Sequence, residues 1–142
     1  MPVATADLDF RDAFEAGQVV PADFDHRAHL RLAYVYLSTL QDEDEAFQRM
    51  QDALLSFLER NGVDAAKFHV TMTKAWLRAV RLFMARAGAT PDAAAFLDQS
   101  APLLDANVML THYSKERLAS EAARTGWTPP DLEPIPDPPL HL

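Results

Sequence analysis

The sequence predicts an all-α fold: an up-and-down helical bundle of about five to six helices with an extended Pro-rich C-terminal tail. Three observations carry this. Apolar residues recur at spacings of three and four over long segments, the period of a helix face. No segment alternates with period two over strand length, and β-branched residues are sparse. Each of the four glycines follows a helical-looking stretch: Gly17 after FRDAFEA, Gly62 after LLSFLERN, Gly88 after RLFMARA and Gly126 after LASEAART. Glycine turning left-handed just past the last helical residue is a common helix stop.

The first long helix is expected from about His26 to Leu40, N-capped by Asp25, with Leu30, Ala33, Tyr34 and Leu37 on its apolar stripe. The second runs from about Glu43 to Asn61 with Phe47, Met50, Leu54, Phe57 and Leu58 inward, and the acids of QDEDE favour its start. The third runs from about Ala65 to Ala87 and carries Phe68, Met72, Ala75, Trp76, Ala79, Val80 and Phe83. Two shorter helices, Pro91 to Gln99 and Pro102 to Leu110, each open with a proline, whose missing N–H would be unpaired there anyway. Ser114 then caps a last helix to Thr125. From Thr128 the chain reads TPPDLEPIPDPPLHL, which holds six of the ten prolines and cannot continue a helix. The expected organisation is a single helical-bundle domain over 1–127, with 128–142 as an extended tail packing on it.

A chain of 142 residues forms one domain and buries roughly 68–70% of the surface its unfolded form exposes, so the core needs no covalent staples. Thirteen Lys plus Arg against 21 Asp plus Glu give a net charge of −8, which repels a phosphate backbone, so no nucleic acid is expected as partner. The absence of cysteine removes disulfides, thiolate metal sites and cysteine nucleophiles, and fits a reducing compartment. No apolar run approaches the roughly 20 residues that span a bilayer, and the N-terminal stretch carries acids where a signal peptide carries Lys or Arg. A soluble cytoplasmic protein without a membrane partner is expected. The glycines are too far apart for a phosphate-cradling loop.

Four of the five histidines carry the functional expectation; His141 lies in the tail. His26 and His29 are three apart and share a helix face. His69 heads the stripe through Met72, Thr73 and Trp76. If the long helices alternate in direction, the starts of the first and third share an end, with His69 roughly 6 Å inside the third. The returning segment brings His112 to the same pole. Four imidazoles facing a core invite a transition metal, with His26, His29, His69 and His112 as ligands. Zn, Fe, Cu or Ni suit nitrogen donors better than Mg or Ca. Satisfied core histidines are the plainer alternative, since an HxxH pair is less specific than HExxH. Thr73 and Trp76 are candidates for lining a cofactor pocket, and Thr73 could equally bond its own backbone. His112 and Tyr113 are candidate acid–base groups, and Tyr36 offers a second phenol. Asp25 is read first as a cap that could also orient one imidazole, Asp23 as a further acid, and Arg27 as solvated. Ser56, Ser100 and Ser120 have no adjacent His or glycine elbow, and no E-x-x-H occurs, so a hydrolase triad and a ferritin-like di-iron site are unsupported.

The segments FDHRAHLRLAYVYL, KFHVTMTKAW and HYSKERLASEAARTGWTPPDLEPIP resemble an uncharacterised bacterial family of small all-helical proteins, with an HxxHL, HxTxT..W, HYS and PDLxPIP pattern. The likeness runs from Phe24 to Pro136. It implies a bacterial, cytoplasmic protein in which His26, His29, His69 and His112 match the pattern's histidines; Val70 stands where similar sequences carry Glu, which takes away a carboxylate donor. It implies no substrate. Three functions follow for comparison: a metal-dependent protein acting on a small molecule, a metal-free pocket for an organic anion or aromatic ligand, and an interaction protein. The last would dimerise through a leftover apolar stripe at Phe47, Phe57 and Leu58.

Overall fold

The structure is a computed structural model and describes residues 3–40 and 42–136. Among these residues it is all-helical. The α-helices are α1 (Thr5–Glu15), α2 (His26–Leu40), α3 (Glu43–Arg60), α4 (Val70–Ala87), α5 (Ala93–Asp98), α6 (Lys115–Ala119) and α7 (Glu121–Thr125). Single 3-10 turns occupy Pro21–Asp23, Ala65–Lys67, Ala101–Leu104 and Val108–Thr111. No described helix is long and apolar enough to cross a membrane.

Short polar side chains set most helix starts. Asp25 Oδ1 accepts from Ala28 N at 2.9 Å at the head of α2. Asp42 accepts from Asp44 N at α3, where Glu43, Asp44 and Glu45 complement the helix dipole. Asp92, Ser114 and Ser120 cap α5, α6 and α7. Four expected helices begin or break differently. The third long helix does not start at Ala65: Asp64 caps one 3-10 turn, Phe68 is extended, and α4 begins at Val70. The segment from Pro102 to Leu110 is two 3-10 turns, because Asp105 accepts from Asn107 N at 2.9 Å and turns the chain between them. The last helix is cut at Ser120, whose extended backbone (φ −69°, ψ 148°) lets its hydroxyl donate to Arg117 O and accept from Ala123 N. Pro91 stands outside α5, ahead of the cap.

Gly17, Gly62 and Gly88 have φ near +70°, whereas Gly126 is extended at φ −154° and does not act as a left-handed stop. At Gly17 a second constraint applies. A Cβ there would lie 2.8 Å from Arg60 Nη1, the group that donates to Glu15 O at the end of α1.

The core is organised around α2, which packs against α1, α3, α4 and α5. Leu32 to Leu37 are all buried, so this helix is enclosed on every side rather than along one stripe. Leu77, Val80, Phe96, Leu97, Leu103 and Met109 fill the space around it. Of the expected spare stripe on α3, Phe47 is buried, the half-buried Phe57 lies 5.0 Å from Phe14 and 5.1 Å from Phe24 between ring centroids, and Leu58 is half-buried. Residues 128–136 form no regular element. Thr128 N donates to Thr71 Oγ1, Leu132 N to His112 O, and the Asp131 carboxylate accepts from Ser114 N and Oγ. Ile135 is buried. The rest of the expected tail, with His141, lies outside the described residues.

Asp7 is the buried charge that ties α1 into this arrangement. Its Oδ1 accepts from Arg31 Nε on α2 at 2.9 Å, and its Oδ2 accepts from Ala93 N, the first amide of α5, at 2.9 Å. Asp7→Ala leaves that amide and a half-buried guanidinium without their partner. The expected loss is about 2–3 kcal/mol, read as a lowered urea midpoint at unchanged slope.

Candidate functional site

The heads of α2 and α4 and the last turns of α3 surround a cavity of about 490 Å³. His26 and His29 enter from α2, His69 from the cap position of α4, and Thr73 and Trp76 from its first turns. Met50, Leu54, Phe57 and Leu58 of α3, with Phe24 and Phe68 from the preceding loops, complete a mainly apolar lining. Asp25 and Lys67 stand among the lining residues and are exposed.

His69 reaches this cavity from outside α4 because it is that helix's N-cap. Its Nδ1 accepts from Met72 N at 3.0 Å, which requires the hydrogen to sit on Nε2, and Nε2–H donates to Leu118 O on α6 at 2.8 Å. Both ring nitrogens are engaged. His26 Nε2–H donates to Leu103 O at 2.8 Å, and His29 Nδ1–H donates to Asp25 O at 2.8 Å. Each of these two rings therefore keeps one nitrogen lone pair, on His26 Nδ1 and His29 Nε2. Thr73 donates to His69 O at 2.8 Å, bonding its own backbone.

His29 packs on Phe24 with the rings tilted by 30° and their centroids 3.9 Å apart. The residue is exposed at the cavity, yet protein surrounds it closely enough that burial lowers its pKa below the ordinary 6.5. The Asp25 carbonyl opposes that shift and the neighbouring His26 adds to it. His26 meets the edge of Trp76 at 4.7 Å between centroids.

The remaining candidates lie elsewhere. His112 does not line the cavity: because the chain before it breaks into 3-10 turns, its ring meets the C-terminal segment, and Nδ1–H donates to Glu133 O at 2.7 Å. Tyr113 is buried, donates to Thr128 O at 2.7 Å, and burial pushes its phenol up to about 12. Burial and the Glu15 carboxylate raise the Tyr36 phenol, which donates to Glu15 Oε2. Asp23 and Arg27 are exposed away from this cavity, and Glu43 pairs with Arg78 and Arg81. Among the described residues no three His, Cys, Asp or Glu side chains form a group that could hold a metal ion. The aromatic wall of Phe24, Phe57 and Phe68 was not legible as a site; its only sequence signal is the phenylalanine two residues before His26 and the one directly before His69.

Two predictions follow from these bonds. Lowered pKa means that the unfolded chain binds a proton at His29 before the folded one does, so stability is full above pH 6.5 and falls as pH drops through and below it. Thermal melts from pH 7.5 to 5 should show this slope, and His29→Gln should make it shallower. His69→Ala, which removes a cap and the bond to Leu118, should cost about 1–2 kcal/mol in denaturant unfolding, while His69→Asn, which can still cap, should recover part of it. No family model, curated protein or solved structure matches this chain.

Proposed function

We propose that the protein binds a small, largely apolar organic molecule in the cavity between α2, α3 and α4, without a metal. The observation that carries this reading is the lining itself: about 490 Å³, a size suited to one small organic ligand, with aromatic and aliphatic walls and few polar groups. The tautomer of His69 adds support, since a ring with both nitrogens engaged has no electron pair left for an ion. Alternating helix directions, an up-and-down bundle, belong to the same reading, because the cavity joins the first turns of α2 and α4 to the last turns of α3. The bacterial, cytoplasmic setting implied by the family resemblance is part of it too.

A second reading rests on His26 and His29. Each has one nitrogen held by a backbone carbonyl and the other unengaged, the arrangement that orients metal-ligating imidazoles. A Zn, Fe, Cu or Ni ion held by these two would need its remaining donors from the ligand.

The uncharged dye N-phenyl-1-naphthylamine separates the two. Its fluorescence should rise and saturate at one molecule per chain, with or without EDTA, and Leu54→Trp, which fills the cavity, should abolish the rise. Dye binding unaffected by Leu54→Trp would refute the cavity site. Stoichiometric metal in untagged protein, lost in His29→Ala, would select the second reading.

A further inference from the structure

The polar hydrogens around the cavity are unevenly distributed. His26, His29 and His69 each direct their N–H to a backbone carbonyl, and the Thr73 hydroxyl does the same. What His26 and His29 have left is a lone pair each, and Thr73 oxygen can only accept. The polar groups of the inner lining are thus acceptors, apart from the Trp76 indole N–H. The Lys67 ammonium is exposed and sits on a rim that also carries the Asp25 carboxylate.

A ligand must match this pattern. Inside the lining a carboxylate would face imidazole lone pairs, and its compensation would need the single Trp76 N–H, the outlying Lys67 ammonium, or a proton taken up by His29, which burial opposes; a buried charge left short of partners is costly. A hydroxyl or N–H supplies the hydrogen that His29 Nε2 lacks, while its ring packs against Phe24, Phe57 and Trp76. Resting on the reading of this cavity as a ligand site, we propose that it selects an uncharged ring-bearing molecule with a hydroxyl or N–H donor and discriminates against the corresponding carboxylate.

The discrimination is measured by calorimetric titration of the full chain at pH 7.5 with 2-naphthol, 2-methoxynaphthalene and 2-naphthoate, each also tested as a competitor of N-phenyl-1-naphthylamine. The ring system is common to all three. Naphthol should bind about 2- to 12-fold more tightly than the ether, the worth of one net hydrogen bond, and naphthoate should be the weakest. His29→Phe keeps a ring on Phe24 and should reduce naphthol to the affinity of the ether while leaving the ether unchanged. Equal affinities for naphthol and ether in the native protein, or naphthoate tightest, overturn the donor selection and leave the cavity site standing. Failure of all three to bind or to displace the dye removes the cavity site and the selection with it.

Discussion

Where helices are short and broken, backbone carbonyls are left without amide partners, and a buried carbonyl needs a donor from elsewhere. In this chain imidazoles supply several of them. His26 reaches Leu103 O across 77 residues, His69 reaches Leu118 O across 49, and His112 reaches Glu133 O across 21. Each bond ties a carbonyl of the second half of the chain, in a 3-10 turn, near the end of α6 or in the irregular C-terminal segment, to a helix or turn laid down earlier. Because a neutral imidazole has one hydrogen and one lone pair, each tie also decides which nitrogen remains for other chemistry. The packing of the second half of the chain and the character of the cavity thus have a common origin.

The long helices were legible because their period is long and their ends are chemically marked. Asp25 before His26 and the acids at 42–45 are start signals that the structure uses as such. The short elements were not legible. Ser120 sits inside a plausible helical pattern, and only its dual role as acceptor and donor breaks that pattern. His69 was misplaced within a helix because histidine is not among the usual capping residues, whereas Asp64, which does look like a cap, starts only a 3-10 turn. The burial of Leu32 and Val35 beside the expected stripe is not legible for another reason: a one-sided reading assumes a surface helix, and α2 has none of its middle at the surface.

The candidate site divides along the same line. His26 and His29 lie on one face because they are three apart, and spacing alone shows that. His69, Thr73 and Trp76 join them through the tertiary arrangement, and His112 is drawn away to the segment around Glu133. Residue type raised the metal expectation, but hydrogen placement bears on it more directly, and hydrogens are assigned by partners distant in sequence. A count of imidazoles is therefore a poor guide to the electron pairs they have available.

The enclosure of α2 has a dynamic consequence. Its middle, from Leu32 to Leu37, is held by four neighbouring helices, while its N-terminal end brings exposed Asp25 and His29 to the cavity. Amides in that middle can exchange with solvent only when much of the domain opens, whereas the mouth can fray and reclose at far lower free energy. A guest of the proposed cavity would enter and leave through local breathing at one extremity while the central rod stays fixed.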